Sequence, residues 1–98
     1  MLFHIVPRAT WSAIGDEYRP DSLLSEGFVH CSYADQVAGT LARFYRDVPD
    51  LVVLELDPAR IPAELKVEDT YGTGTAFPHV YGPIPVTAAV AVHEVSDF

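Results

Sequence analysis

The sequence predicts a small α+β fold, and three features of its hydrophobic pattern carry that prediction. Segments with strand character outnumber helical ones, the clearest amphipathic helix lies in the first half, and most strands come late in the chain. Strands and helices do not alternate regularly, as they would in a doubly wound α/β protein. The chain has 98 residues, of which 49% are hydrophobic. We therefore expect residues 1–98 to form a single domain with its own core.

The first predicted elements are a strand and a short helix. Leu2–Val6 is an apolar run typical of a strand, and Pro7 should end it because proline cannot donate to a β-ladder. Thr10–Ile14 predicts a short helical turn, with Gly15 as its C-terminal stop. The next segment, Asp16–Gly27, is expected to be a loop that holds at most one turn of helix.

A second predicted strand leads directly into the clearest helix of the chain. Phe28–Cys31 has strand character, and a helix is predicted over Ser32–Arg46, with Ser32 as a favourable N-cap. One apolar stripe runs along this helix at helical spacing and consists of Val37, Leu41, Phe44 and Tyr45. Pro49 then separates the helix from the second half of the chain.

The second half of the chain predicts four strands. Leu51–Leu56 is almost entirely apolar, so we expect it in the centre of the sheet. The other strands are predicted over Leu65–Glu68, Phe77–Tyr81 and Val86–Val95. Gly72–Thr75 lacks the strand-to-helix setting and the Gly-Lys-Ser/Thr ending of a phosphate-binding loop, so it is interpreted as a flexible turn.

The charge of the chain excludes several classes of partner. The net charge is −8, and Lys66 is the only lysine. Because nucleic-acid affinity depends on lysine and arginine neutralising phosphates, we expect no binding to duplex nucleic acid or to anionic membranes. A small phosphorylated ligand held by one or two local arginines remains compatible with this charge. A single cysteine and the lack of any run of about 20 apolar residues favour a cytoplasmic location.

Three histidines in predicted strands are the main candidates for a functional site. They are His4, His30 and His79. A histidine on an apolar strand face is often a hydrogen-bonded structural residue, but its charge and hydrogen-bonding role also change near neutral pH. His93, next to a glutamate in the last strand, is expected at the surface. Cys31 faces away from His30 because adjacent strand residues alternate, so we expect a buried, inert thiol.

A metal centre is an alternative use of the same histidines. Three histidines and a water form a known catalytic zinc site. The sequence has no local ligand spacing of the kind that such sites often show, so this alternative depends on the three strands converging in space. We expect no metal, but a three-histidine metal-dependent hydrolase stays open as an alternative function.

The chain resembles a known bacterial family over nearly its whole length. The segments that carry the resemblance, in order, are residues 3–7 (FHIVP), 18–20 (YRP), 26–32 (EGFVHCS), 43–45 (RFY), 51–56 (LVVLEL) and 77–83 (FPHVYGP). They resemble the family known as "domain of unknown function 952". That family in turn is similar to the ADP-ribosyltransferase fold, in which a split sheet holds NAD between its halves.

The resemblance implies a small split sheet, mixed or antiparallel, with two or three helices. It places His4 and His30 at the catalytic positions of the first two strands of the fold. The third catalytic position, often a glutamate, lies on a late strand, where His79 is the nearest candidate. The implied cofactor is NAD, acting as a substrate rather than as a bound prosthetic group.

The function expected from the resemblance is an ADP-ribosyltransferase-like enzyme acting on NAD or on a related ADP-ribosyl or phosphoryl substrate. Arg8, just after the first strand, is the candidate partner of the pyrophosphate, because arginine binds phosphate through two hydrogen bonds. Arg19 is a second candidate, and Tyr81 is expected in the wall of the ligand pocket. A non-catalytic ligand-binding or interaction module on the same fold is the main alternative, since a fold alone does not decide function.

Overall fold

The computed structural model describes all residues, Met1–Phe98, and shows an α+β fold, as predicted. The strands are β1 (Leu2–Pro7), β2 (Glu17–Tyr18), β3 (Val29–His30), β4 (Leu51–Leu56), β5 (Glu64–Glu68), β6 (Phe77–Tyr81), β7 (Ile84–Pro85) and β8 (Ala89–Glu94). The helices are α1 (Arg8–Ser12), α2 (Ser22–Ser25) and α3 (Val37–Phe44). Short 3₁₀ turns cover Ala34–Gln36, Pro58–Arg60, Val86–Ala88 and Val95–Asp97.

The strands form two three-stranded sheets and one short pair. The first sheet has the order β1-β4-β8, the second has the order β3-β6-β5, and β2 pairs with β7. Every one of these pairings is antiparallel. An isolated bridge between Phe3 and Ser32 ties β1 of the first sheet to the end of β3 in the second. The two sheets therefore meet along β1 and β3.

Strand β4 is the centre of the hydrophobic core, as its composition predicts. It lies between β1 and β8, and its side chains are buried on both faces. Val52, Leu54 and Leu56 point into the larger apolar cluster, which also receives Val29 and Val80 from the second sheet. The opposite face of β4 joins a smaller cluster with Val37 of α3. Because strand side chains alternate, one strand supplies both clusters.

The predicted helix over Ser32–Arg46 is shorter in the structure and begins differently. Ser32 does not cap it, because its backbone exchanges hydrogen bonds with Phe3 of β1. A 3₁₀ turn precedes α3 instead, and the backbone N–H of Tyr33 donates to the side chain of Gln36 over 2.9 Å. Helix α3 itself is eight residues long, and no helix of the protein is long and apolar enough to cross a membrane.

Other elements also differ from the sequence-based prediction. The first helix covers Arg8–Ser12 rather than Thr10–Ile14, because β1 runs through Pro7 and the helix follows at once. The last strand begins at Ala89, since the three residues before it form a 3₁₀ turn. Strands β2 and β7 were not predicted, because each has two residues and is too short to show an alternating pattern.

Candidate functional site

A cleft of about 390 Å³ opens where the two sheets meet. It takes residues from β1, β2, β3 and α3 and from the loop between β5 and β6. Its walls include two histidines, one carboxylate and four aromatic rings: His4, His30, Glu26, Tyr18, Phe44, Tyr45 and Tyr71. Pockets of about 300–1,000 Å³ with a few convergent polar groups are the usual size for small-molecule sites.

His4 is a buried histidine whose two ring nitrogens both have partners. It shares the β1 face of Leu2 and Val6, as the strand alternation predicts. Its Nδ1–H donates to the backbone oxygen of His30 over 2.6 Å, and since a carbonyl only accepts, Nε2 carries the lone pair. The hydroxyl of Tyr18 donates to that Nε2 over 2.8 Å. Burial lowers the pKa of His4 from 6.5 to about 4, so the ring is neutral at neutral pH.

Tyr18 is a member of the cleft that the sequence-based prediction did not include. Strand β2 carries it, and pairing with Ile84 of β7 fixes its backbone. Burial raises the pKa of the Tyr18 hydroxyl, which therefore stays protonated and donates to His4. Its oxygen retains lone pairs that could accept a hydrogen bond from a ligand hydroxyl.

His30 is the histidine that offers its ring to the cleft. It is half-buried on β3, and the alternation that turns its ring outward turns Cys31 into the core. Desolvation lowers the pKa of His30, and the neighbouring His79 lowers it further. At neutral pH the imidazole is therefore uncharged and carries a lone pair on one ring nitrogen, as a general base requires.

His79 lies behind His30 and does not line the cleft. The two residues are register partners across β3 and β6, with ring centroids 5.0 Å apart. His79 is only 1% exposed and stacks on Phe28 at 4.0 Å. Its Nδ1 lies 3.0 Å from a carboxylate oxygen of Glu68, and its Nε2 is buried without a hydrogen-bond partner.

The structure therefore brings two of the three predicted histidines to the cleft and places the third behind His30. His4 and His30 are joined directly, whereas His79 touches only His30 of the two. No group of three or more histidine, cysteine, aspartate or glutamate side chains is arranged to hold a metal ion. The three histidines thus do not form a common ligand set.

The predicted ligand-binding residues lie away from the cleft. Arg8, the expected partner of the pyrophosphate, does not line the cleft, because β1 continues to Pro7 and Arg8 follows at the end of the first sheet. There Arg8 forms ion pairs with Asp50 at 2.9 Å and with Glu94 at 2.5 Å. Two carboxylates thus hold the guanidinium that was expected to bind a pyrophosphate.

Arg19 and Tyr81 also have other partners. Arg19 is exposed and pairs with Glu17 at 2.9 Å. Tyr81 shares the β6 face of His79, and its hydroxyl donates to Glu68. That hydrogen bond raises the pKa of Tyr81 to about 12. Neither side chain belongs to the lining of the cleft.

A groove of about 310 Å³ continues from the cleft and is lined by a cationic side chain, that of Arg43. The two spaces share Thr40 and Phe44 of α3, and Arg43 lines the groove together with Gln36 and Asp35. Arg43 forms none of the ion pairs of the protein; its guanidinium lies 5.2 Å from the centre of the Phe44 ring. A guanidinium without a carboxylate partner is available for an anionic ligand.

Comparison with known proteins assigns the chain to a family. Residues 5–92 match the family described as "Protein of unknown function (DUF952)". The chain belongs to the DUF952 family. This confirms the family that the sequence resembles. The match includes His30 and His79 and starts one residue after His4.

Two solved structures resemble this DUF952 protein along most of its length. The X-ray structure of protein CC0527 from Caulobacter crescentus has 30% sequence identity and a TM-score of 0.81. The similarity covers 93% of this chain and 82% of that one. A double mutant of the same protein matches with a TM-score of 0.80. No curated protein matches the sequence at a significant level.

Proposed function

We propose that this DUF952 protein binds an ADP-ribosyl compound in the cleft, with NAD as the candidate substrate, and transfers the ADP-ribosyl group to an acceptor. The observation that carries the proposal is the meeting of His4 and His30 at one cleft wall, joined by a 2.6 Å hydrogen bond. The likeness to the ADP-ribosyltransferase fold implies histidines at these two strand positions. The cleft and its adjoining groove, about 390 and 310 Å³, offer space for a dinucleotide-sized ligand.

Each cleft residue has a role in this proposal that follows from its hydrogen bonds. His4 is neutral and holds Tyr18, so the ligand ribose would meet the Tyr18 oxygen rather than a free His4 nitrogen. His30 faces the cleft and is uncharged, which makes it the candidate base. His79 positions His30 from behind, because its own ring is buried.

The proposed reaction conserves atoms and charge. The bond between ribose C1′ and the nicotinamide nitrogen breaks, and nicotinamide leaves with the electron pair, which neutralises its ring. The nucleophilic atom of the acceptor bonds to C1′, and its proton passes to the imidazole of His30. Proton transfer of this kind contributes roughly 10²- to 10⁴-fold to a rate.

In this proposal Arg43 binds the pyrophosphate, the role that the sequence analysis gave to Arg8. A pyrophosphate approaching a protein of net charge −8 needs a local cation. Arg43 is the basic residue of the groove that continues from the cleft, whereas Arg8 and Arg19 are paired with carboxylates elsewhere. The phosphates of the ligand would therefore lie along α3.

Calorimetry with ADP-ribose and measurement of nicotinamide released from NAD test the proposal. We expect Arg43→Gln to weaken ADP-ribose binding about tenfold, the effect of losing one charge-assisted hydrogen bond. Arg46→Gln is the matched control, since it removes the same charge from an exposed arginine outside both spaces. We expect His30→Gln to reduce nicotinamide release roughly 10²-fold or more. Wild-type protein that binds neither NAD nor ADP-ribose at millimolar concentration would overturn the function.

A non-catalytic binding module is the second candidate, and one observation favours it. Both nitrogens of His4 already have protein partners, so this residue has no free group for chemistry. Binding of ADP-ribose with no release of nicotinamide from NAD, even at long incubation, would favour the module over the transferase.

A further inference from the structure

Two of the four aromatic rings that line the cleft are about half exposed: Phe44 at 53% and Tyr71 at 49%. Tyr45 is partly buried, and Tyr18 forms the buried floor. Apolar surface concentrated in one concavity usually marks a binding site. The faces of aromatic rings carry negative partial charge and attract cations.

The formal charge of the cleft is negative, like the partial charge on the faces of its aromatic rings. Glu26 is the one lining residue that carries a charge at neutral pH, because burial keeps His4 and His30 neutral. Its carboxylate accepts a hydrogen bond from the Tyr71 hydroxyl over 3.1 Å, which holds the acid beside an exposed ring. No lysine or arginine lines this cleft; Arg43 lies in the adjoining groove. The cleft thus has a negative charge and no cation, whereas the groove has one cation, Arg43, and one carboxylate, Asp35.

We propose that the cleft selects a positively charged pyridinium ring, and so binds the oxidised nicotinamide of NAD in preference to the neutral reduced ring. The choice of nicotinamide rests on the proposed function. The preference itself rests on the carboxylate of Glu26 and the exposed rings of Tyr71 and Phe44. A cationic nicotinamide ring is attracted to the carboxylate and to the aromatic faces. The reduced, neutral ring has about the same size but is attracted to neither by charge. NAD has a cation at one end and a pyrophosphate in the middle. Glu26 in the cleft matches the cation, and Arg43, which is paired with no carboxylate in the groove, matches the pyrophosphate.

The test uses two small probes that differ in charge and hardly at all in shape. They are 1-methylnicotinamide and 1-methyl-1,4-dihydronicotinamide, titrated into the full chain by calorimetry. We expect the cationic probe to bind about three- to tenfold more tightly, the range for partly exposed cation–π and carboxylate contacts. NAD should likewise bind more tightly than NADH.

Two variants separate a role in recognition from a structural one. Glu26→Gln removes the charge with little change in shape and should reduce the preference to about twofold or less. It should leave ADP-ribose binding unchanged or slightly tighter, because ADP-ribose has no cationic ring and its phosphates lose a nearby negative charge. Glu64→Gln, an exposed carboxylate on β5 outside the cleft, should preserve the full preference. If Glu26→Gln abolished binding of the nicotinamide probes and of ADP-ribose alike, the role of Glu26 would be structural and the inference would be overturned.

The outcomes also distinguish this inference from the proposed function. Equal binding of the two nicotinamide probes, together with binding of ADP-ribose, would overturn the pyridinium preference and leave the ADP-ribosyl function in place. A preference for the cationic probe that depends on Glu26, without any binding of ADP-ribose, would support the pyridinium site and overturn the ADP-ribosyl function.

Discussion

The two three-stranded sheets of this protein are similar in size but use their faces in different ways. The β1-β4-β8 sheet buries apolar side chains on both faces of its central strand. The β3-β6-β5 sheet sends Val29 and Val80 into the core, while its other face carries His30, His79 and Tyr81. The first sheet therefore supplies most of the apolar burial, and the second supplies polar and aromatic groups to the region beside the cleft.

This difference shows how a small domain can keep polar groups without losing its core. The polar face of the second sheet is held by side-chain contacts, in which Glu68 accepts from Tyr81 and contacts His79. The first sheet has one buried polar exception, His4, whose hydrogen bonds go to His30 and Tyr18. That exception lies where the two sheets meet, next to the cleft.

The largest expected effect is on stability, when one apolar residue is truncated in each sheet. Leu54 is 1% exposed at the centre of β4, whereas Val67 is 54% exposed on the edge strand β5. Leu54→Ala should lower the free energy of unfolding by about 2–5 kcal/mol, through lost burial and a residual cavity. Val67→Ala should change it by about 0.5 kcal/mol or less. Urea unfolding measures both, and similar losses in the two variants would contradict the difference in burial between the central strand β4 and the edge strand β5.

In both sheets, the features that the sequence predicts are those fixed by local pattern. The bounds of β4 and β6 are those predicted, because each is a short apolar run between turn residues. Local alternation also decides the side of its strand on which each of His4 and His30 lies. These features depend on residues next to one another in the chain, whereas the meeting of the two histidines depends on the contact between β1 and β3.

Features that depend on distant partners were not predictable from the sequence. Nothing near Arg8 in the chain indicates that Asp50 and Glu94 will hold it. Tyr18 and Arg43 belong to segments that the family resemblance had picked out, but their roles appear only when β2 pairs with β7 and α3 packs beside the cleft. Long-range pairing, rather than local pattern, places these side chains.

The next expected effect is a dependence of stability on pH that comes from His4. Its pKa is about 4 in the folded protein and 6.5 when exposed, so the unfolded chain binds the proton first as the pH falls. The stability that the neutral ring provides is complete above pH 6.5 and is lost progressively down to about pH 4. The difference corresponds to about 3 kcal/mol. Urea unfolding at a series of pH values measures it.

Two variants assign this pH dependence to the meeting point of the sheets. His4→Gln can still donate and accept hydrogen bonds but cannot titrate, so its stability should vary less between pH 6.5 and 4. His30 also has a lowered pKa and should leave a smaller residual slope. His30→Gln should remove only that smaller contribution and keep most of the wild-type profile. If His4→Gln and wild type respond identically to acid, His4 is not the group responsible.

The smallest expected signal is the labelling of Cys31 in the native protein, which reports whether the two sheets open separately. Its backbone N–H bonds to Pro78 of β6, and the next residue bridges to β1, so the thiol lies between the sheets. It is 1% exposed, and burial raises its pKa to about 12, which leaves almost no reactive thiolate at neutral pH. We expect a thiol reagent to label the native protein very slowly.

The rate of that labelling decides between two kinds of opening. If the sheets unfold together, the free energy of opening derived from the labelling rate should equal the global free energy of unfolding. Leu54→Ala should then accelerate labelling by the full amount that it destabilises the protein, because global unfolding would be the step that exposes the thiol. If the second sheet opens alone, labelling should be faster than global unfolding allows and insensitive to Leu54→Ala. That result would mean that the polar face of the second sheet is held by local contacts, such as those of Glu68, and not by the core of the first sheet.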